Sequence, residues 1–394
     1  MQVVYSGFDG LDVSFQGALP PVTIDALERA KEQAQEDDTP TLATIGRGRV
    51  DMHVASTGAK GGYRYRCDTG PDGEVWFFKR GKNPTDWNIR VSCGSACLAT
   101  RGYYGTKQRL YDTLEALGAI VLCESIGRVD YAIDYLDPDF EIRPSDFVAH
   151  SSSNRKAHEE EESSLQTAYK GRYCTSVTVG TMPNRQIIVY DKRREVIARR
   201  KGYWWDIWGL DQYDTENKVW RVEIRAGKRH LKEKWNVSTW DDLETMLGDL
   251  FLKALNDIRY LSEGNTDSNR TRGCVDPVWI ATQEQVSRNL FEWISNVEPS
   301  DIREVEREKQ RLIYEQMIVG CVAGMASLME IEKANISTVV PRIEGLLRSH
   351  IRTNLDGLEK KMDRARDRYH FVNKRGEAHG EEFGSRKSSV SMLR

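Results

Sequence analysis

Several signatures of nucleotide and metal chemistry are missing from this sequence. It contains no G-x-x-x-x-G-K-[ST] segment, which excludes P-loop nucleotide hydrolysis. None of its seven histidines lies two residues from another, so the histidine pair with which one class of DNA-nicking enzyme binds its metal is absent. The apolar run Met317–Met329 stops at 13 residues, whereas a helix that crosses a bilayer needs about 20. We therefore expect no membrane association.

Paired cysteines and an export signal are missing too. The seven cysteines are scattered, and the one close pair, Cys93 and Cys97, has no second pair at the spacing of a zinc finger. The N-terminal residues show no basic stretch followed by an apolar core. We therefore expect reduced thiols and a cytoplasmic location.

The charge of the chain is nearly balanced overall and uneven locally. The formal net charge of −3 excludes no class of partner. Between residues 185 and 234, however, 14 lysines and arginines stand against 8 aspartates and glutamates. This local surplus of positive charge is typical of a surface that attracts a ligand bearing phosphates.

The apolar periodicity predicts an α+β fold with a mixed or antiparallel-rich sheet and flanking helices, followed by an all-α C-terminal region. The first domain is predicted to span residues 1–265, because the segment from Ser262 to Gly273 is rich in turn formers and resembles a linker. The helical region is predicted over 266–372. Residues 373–394 have the composition of a disordered tail.

Three of the predicted strands, GRVDYAIDYLD, VWRVEIRA and RQIIVYD, carry polar side chains on one face. In the first, the alternation turns Asp130 and Asp134 away from the apolar side chains. In the second it does the same for Arg221 and Glu223, and in the third for Tyr190. If the three strands share a sheet, Tyr190 lies beside the acidic side chains.

A tyrosine beside carboxylates has the components of a nucleophile. Because the pKa of a phenol is about 10, it needs a base or a cation to react near neutral pH. A Mg²⁺ or Mn²⁺ ion held by Asp130, Asp134 and Glu223 would polarise a phosphate oxygen under attack. Since Asp130 and Asp134 are about 13 Å apart along a strand, we expect one to pair with Glu223 and the other to orient a side chain or water.

Simpler explanations exist for each of these features. A tyrosine at the end of a strand is more often an ordinary structural residue. Ion pairs with Arg128, Arg221 and Arg225 account for the acidic residues without any metal. The basic run from Lys192 to Lys201 has the pattern of a solvated helix face.

Taken together, the segments RVDYAIDY, TSVTVG, RQIIVYDKRRE and VWRVEIRA resemble, in order and spacing, the Rep_trans family of replication initiation factors. This family comprises initiators of rolling-circle plasmids, related filamentous-phage proteins and relaxases of integrative elements. The resemblance spans roughly residues 5–260. The segment GTMPNRQ departs from the G-S-R-x-S type of turn expected before the tyrosine strand, and the helices after residue 299 have no clear counterpart in the family.

The resemblance implies a metal-dependent, site-specific DNA endonuclease and strand transferase in residues 1–265. Matched residue by residue, Tyr190 is the side chain that becomes joined to DNA, leaving a 5′-phosphotyrosine link and a 3′-OH primer before religation. Lys192 and Arg221 are the candidates for stabilising charge on the phosphate. The implied partners are origin DNA, duplex and single-stranded, and a host helicase. Seven further basic residues are candidate DNA contacts: Arg185, Arg193, Arg194, Arg199, Arg200, Lys201 and Arg225.

Three other functions stay open at this point. A conjugative or mobilisation relaxase shares the same chemistry and differs only in the fate of the nicked strand. A DNA-binding regulator could retain the fold without catalysis. The C-terminal helices could also be the functional part, as a dimerising scaffold.

The C-terminal helical segment ends in the apolar run Met317–Met329, which a lone surface helix could not expose to water without cost. Either this run packs against the first domain, or it self-associates. Gly320 and Gly324, four residues apart, would allow two helices to approach closely. Initiators of the resembled family act as dimers, so we expect a homodimer.

The basic run generates a first testable prediction. Replacing Arg199, Arg200 and Lys201 together with alanine should flatten the dependence of log K on log salt by up to about 0.9 for each duplex phosphate that the protein no longer neutralises. Measurement of DNA binding over a series of salt concentrations tests this. An unchanged slope would identify the run as a solvated helix face.

Overall fold

The computed structural model describes residues 1–149, 164–262, 273–288 and 290–373. Most of the predicted linker, and with it the boundary near residue 265, lies outside the described residues, as does the predicted tail from residue 374 onward. Within the described part, no helix is long and apolar enough to cross a membrane.

The described strands are β1 (Gln2–Ala18), β2 (Thr41–Ile45), β3 (Val50–Val54), β4 (Tyr65–Asp68), β5 (Glu74–Phe78), β6 (Trp87–Gly94), β7 (Ile120–Leu136), β8 (Phe147–Ala149), β9 (Leu165–Lys170), β10 (Tyr173–Gly180), β11 (Arg185–Asp191), β12 (Val219–Gly227) and β13 (Ile258–Tyr260). Eleven of them form one sheet in the order β2-β3-β4-β5-β6-β1-β7-β12-β11-β10-β9. Neighbouring strands in this sheet are antiparallel. β8 and β13 form a separate pair.

The described helices are α1 (Pro21–Glu36), α2 (Ser95–Ala116), α3 (Lys192–Arg199), α4 (Tyr203–Trp208), α5 (Trp240–Asp257), α6 (Pro277–Val286), α7 (Pro299–Leu328), α8 (Val339–Thr353), α9 (Leu355–Arg368) and α10 (His370–Asn373). A π-helical turn covers His230–Lys234, and 3-10 turns cover Pro144–Asp146 and Lys333–Thr338. The predicted α+β fold, with an antiparallel sheet and a helical C-terminal region, is confirmed.

The large sheet separates two apolar cores, because its central strands alternate side chains between two covered faces. The larger core contains Tyr131 and Ile133 of β7 and Val222 of β12, and helices α2 and α5 cover it. The smaller core contains Ala132 of β7 together with Trp204 of α4. The predicted division of the strands into two faces is therefore confirmed, and the polar face is covered in part by short helices.

A bulge in β1 changes which of its side chains face the larger core. Phe8 pairs with Tyr131, and the register shifts before Gly10 pairs with Asp130. As a result, Phe8 and Leu11 both reach the larger core although they are three residues apart. A Cβ atom on Gly10 would lie 2.6 Å from a carboxylate oxygen of Asp130, so a larger residue would displace that carboxylate.

The first turns of α7 pack against the sheet domain. Ile302 is buried in the smaller core. The guanidinium of Arg303 donates to both carboxylate oxygens of Asp72, at 2.9 and 3.1 Å. At the far end of the helical region, His370 contacts Asp51 of β3 at 2.9 Å. The helical region is therefore fixed to the sheet domain at both of its ends.

The middle of the helical region extends away from this attachment. Met317, Ile318 and Val319 of α7 are 58%, 62% and 68% exposed. The apolar run thus does not pack against the sheet domain. Further exposed apolar side chains occur on α8, including Leu346 and Leu347. The expected homodimer stays a prediction, and this surface is its candidate interface.

Introducing two charges on this surface tests the dimer. Ile318→Glu with Val319→Glu should convert a dimer to a monomer, because each carboxylate would lose its hydration in the interface. Light scattering at micromolar concentration measures the change. As a control, Gln35→Glu with Gln108→Glu adds the same charge on α1 and α2 and should leave the mass unchanged. A wild-type protein that is already monomeric would contradict the prediction.

Candidate active site

The three strands with a predicted polar face are adjacent, in the order β7-β12-β11. Across them, Tyr190 pairs with Arg221, and Arg221 pairs with Asp134. Two residues further along β12 and on the same face, Glu223 lies opposite Ala132. Because antiparallel neighbours on the same face are about 5 Å apart, this register gathers side chains from distant parts of the sequence into one polar cluster.

The hydroxyl of Tyr190 is the centre of this cluster. It donates to Oε2 of Glu223 at 3.3 Å, and Nζ of Lys192 lies 3.5 Å from it. Burial raises the pKa of Tyr190 well above its ordinary value, while the guanidinium of Arg221 acts in the opposite direction. The phenol is therefore neutral near pH 7, with a carboxylate placed to accept its proton.

Lys192 lies two residues after Tyr190 in the sequence and is only 2% exposed. Its Nζ lies 4.7 Å from the centre of the Trp204 ring and pairs with Glu195, which also binds Lys201 at 3.0 Å. Burial lowers the pKa of Lys192, and the nearby guanidinium of Arg221 lowers it further. The ammonium group is thus held inside the protein, directed at the hydroxyl of Tyr190.

Arg221 lies beneath the cluster and has no exposed surface. Its guanidinium donates to both oxygens of Asp134, at 2.6 and 2.8 Å, and to Oδ1 of Asp9 at 2.5 Å. The indole of Trp208 donates to Asp134 as well, at 2.7 Å. Arg221 was predicted to stabilise charge on a phosphate. Because it is enclosed, we instead assign it a positioning role under the polar face.

Two residues of this network, Trp208 and Asp9, could not be predicted from the alternation of the three polar strands. Burial acts to raise the pKa of Asp9, but the positive charge of Arg221 outweighs this effect, and the pKa is lowered. The bulge before Gly10 directs Asp9 to the polar face. The two glycines that flank Phe8 and Asp9 in GFDG were the available signal, since glycine within a strand often marks a bulge.

The predicted metal ligands occupy different surroundings. Asp134 is engaged by Arg221 and Trp208. Glu223 binds Nε of Arg225 at 2.6 Å through one oxygen and Tyr190 through the other. Asp130 is held by the guanidinium of Arg128, at 2.9 and 2.6 Å. Burial raises the pKa of Asp130 to about 7, although Arg128 acts against this.

These residues, as they stand, do not fit a metal site of three carboxylates. The oxygens of all three acidic side chains are engaged by neighbouring donors. Among the described residues there is no group of three or more His, Cys, Asp or Glu side chains that could hold an ion. The divalent ion stays a prediction, and no chemical step is derived from it.

A basic cleft of about 800 Å³ opens over Tyr190. Tyr190, Lys192, Glu223 and Asp9 line its floor. Five of the seven predicted DNA contacts line it too: Arg193, Arg194, Arg199, Lys201 and Arg225. The basic run therefore faces the candidate nucleophile instead of lying on a remote surface.

The other two predicted DNA contacts lie elsewhere. Arg185 is 8% exposed and pairs with Asp257 of α5 at 2.8 Å, so its charge is used within the fold. Arg200 adopts a left-handed backbone conformation, with a φ angle of 52°, and lines a neighbouring cleft. The local sequence could not distinguish these positions, because the partner of Arg185 is distant in the chain.

Comparison with known proteins gives a distant likeness in structure. No family model matches the chain, and no curated protein matches it. Among solved structures, the fold is similar to that of a rolling-circle replication initiator protein from Geobacillus stearothermophilus. The sequences are 16% identical, the TM-score is 0.41, and the match covers 73% of this chain and 98% of the other. At this distance the likeness assigns no function to this chain.

The contrast between Asp134 and a less buried acid gives a stability prediction. Asp134→Asn should lower the free energy of unfolding by about 3 to 5 kcal/mol, because it leaves the buried charge of Arg221 partly uncompensated. Chemical denaturation measures the change. Asp12→Asn is the matched control, since the pair of Asp12 with Arg90 is partly exposed and should contribute less than about 1 kcal/mol. Equal destabilisation in the two variants would contradict the structural assignment of Asp134.

Proposed function

We propose that the protein is a DNA strand transferase that initiates rolling-circle replication by nicking one strand at an origin. The observation that carries this proposal is the hydroxyl of Tyr190, placed 3.3 Å from a carboxylate oxygen of Glu223 and 3.5 Å from Nζ of Lys192 at the floor of a basic cleft. A purely structural tyrosine would not need an acid, a buried lysine and a basic rim around its hydroxyl.

In the proposed reaction the phenol oxygen of Tyr190 attacks the phosphorus of a DNA phosphodiester. The phenol proton passes to Glu223, to which the hydroxyl already donates. The bond from phosphorus to the 3′ oxygen breaks, and the departing oxygen takes a proton from solvent to become a 3′-OH. The products are a 5′-phosphotyrosine ester on Tyr190 and a free 3′ end for a polymerase.

The charge around the cleft supports this reaction. Negative charge that builds on the phosphate oxygens lies close to the ammonium group of Lys192. The rim arginines, including Arg193 and Arg194, are positioned to contact neighbouring phosphates. Because the tyrosyl ester retains the phosphodiester bond energy, attack by a 3′-OH reverses the reaction without ATP, which allows religation.

A divalent ion, Mg²⁺ or Mn²⁺, would polarise the phosphate if it bound near Glu223. Its binding would require the contacts of Glu223 or Asp130 with Arg225 and Arg128 to change. In the wider proposal the protein acts in the cytoplasm on duplex and single-stranded origin DNA, as a homodimer, with a host helicase. A relaxase would use the same cleft, and a regulator would bind DNA without forming the ester.

Removal of the nucleophile is the direct test. Tyr190→Phe should abolish covalent protein–DNA adducts, because the ring is retained and only the attacking oxygen is removed. The assay incubates the protein with Mg²⁺ or Mn²⁺ and a pool of random-sequence single-stranded oligonucleotides, and a denaturing gel detects the adducts.

The control for this test is another tyrosine near the cleft. Tyr173→Phe removes a hydroxyl that lies 3.2 Å from Asp191, the residue after Tyr190, and should leave adduct formation intact. Adducts that persist in Tyr190→Phe and vanish in Tyr173→Phe would identify Tyr173 as the nucleophile. Wild-type protein that binds DNA and forms no adduct would favour the regulator.

Glu223 distinguishes a proton acceptor from a metal ligand. Glu223→Gln should slow adduct formation by about 10² to 10⁴-fold, the usual contribution of a general base. If Glu223 instead acts by holding an ion, raising the Mn²⁺ concentration should restore part of the rate in this variant, and a chelator should abolish wild-type activity. An unaltered rate in Glu223→Gln would exclude both roles.

A further inference from the structure

A second cleft adjoins the Tyr190 cleft, between the sheet domain and the C-terminal helices. Its volume is about 960 Å³, at the upper end of the range for ligand-binding clefts. Side chains of β3, β4, α7 and α10 form its walls. It shares Ala198, Arg199 and Lys201 with the Tyr190 cleft, so the two spaces adjoin at these residues. We name this space the helical groove.

The helical groove carries a surplus of positive charge. Its basic residues are Arg66, Arg199, Arg200, Lys201, Lys309 and Arg368, against the two acids Asp68 and Glu306. Arg66, Arg200 and Arg368 are exposed, so their guanidinium groups are open to a ligand. A ligand with negative charges would therefore be attracted to the groove.

The groove also has an apolar and aromatic lining. Phe371 of α10 lies edge-on to the ring of His53, with 5.0 Å between the ring centres. Tyr203 and Ile302 line the groove as well. Single-stranded DNA presents phosphates and open base faces together, whereas a duplex keeps its bases stacked inside. A basic groove with aromatic side chains therefore suits a single strand.

We propose that the helical groove binds the single-stranded DNA that flanks the nicked phosphate. In this arrangement Arg66, Arg200 and Arg368 contact phosphates, and Phe371 supports a base. The inference rests on the proposed function of the Tyr190 cleft, because a strand held in that cleft would reach the adjoining groove at Arg199 and Lys201. It also gives the C-terminal helices a role in holding DNA.

The protein's own C-terminal residues are a weaker candidate for this groove. Residues 374–394 carry five lysines and arginines against three glutamates, so their charge has the same sign as that of the groove. Like charges would oppose their binding there. A nucleic acid strand has the opposite charge.

The experiment measures binding with cleavage removed. All proteins carry Tyr190→Phe, and the probe is fluorescein-labelled oligo(dT) of about 20 nucleotides, longer than typical site sizes of about 4 to 16. Fluorescence anisotropy gives Kd over a salt series. Arg66→Glu with Arg368→Glu should weaken binding by at least about tenfold and flatten the salt slope by about 0.7 for each phosphate that is no longer neutralised.

Two further variants keep the test specific. Arg288→Glu with Arg348→Glu makes the same change in net charge at side chains that are each 69% exposed and line neither cleft, and Kd should stay within about twofold to threefold of the parent. Phe371→Leu keeps an apolar side chain and removes the aromatic face, so it should weaken binding by about fivefold to tenfold. Thermal unfolding confirms that each variant is folded.

The outcomes separate this inference from the proposed function. If Arg66→Glu with Arg368→Glu binds like the parent, or no more weakly than the control pair, the inference is overturned even where wild-type protein forms adducts. If its binding falls selectively and wild-type protein forms no adduct, the groove binds single-stranded DNA and the proposed nicking function fails. Stronger binding of a duplex of the same length, with the same sensitivity to Arg66 and Arg368, would also overturn it.

Discussion

The buried guanidinium of Arg221 is the interaction on which the polar face depends. It binds both oxygens of Asp134 and one oxygen of Asp9 while packing 4.3 Å from the ring of Trp204. A charge in this position is tolerable only because two carboxylates from β1 and β7 neutralise it. The three strands β1, β7 and β12 must therefore be in register before this part of the structure is stable.

The same constraint places the candidate nucleophile. Tyr190 and Arg221 are opposite each other on β11 and β12. The ion pairs that hold Arg221 on the polar face therefore also determine where the phenol lies. Glu223 is two residues further on the same face of β12. Asp191 then ends the strand and accepts a hydrogen bond from the backbone of Arg194 at 3.0 Å, which begins α3 directly after the tyrosine. The basic rim is thereby attached to the strand that carries Tyr190.

Much of this arrangement could be predicted from the sequence, because strict alternation determines which side chains share a face of a strand. This predicted the common polar face of Asp130, Glu223 and Tyr190. The sequence could not separate Asp130 from Asp134, because both lie on the same face of β7 and only the tertiary structure pairs Asp134 with Arg221 and Trp208 and Asp130 with Arg128. The position of Asp9 could not be predicted, because the bulge interrupts the alternation of side chains between the two faces of β1. Contacts between distant segments decide these cases, and local patterns carry no information on them.

The attachment of α10 to β3 has a consequence for the order in which the protein matures. The polar face and the smaller core that supports it are built from residues up to Ile302. The groove beside it needs Phe371, which packs against Gly70 and His53 from the N-terminal part of the chain. During synthesis, all residues of the candidate active site are therefore made before the last wall of the adjoining groove. Each new molecule would be able to complete the candidate active site first and the proposed strand-binding groove last.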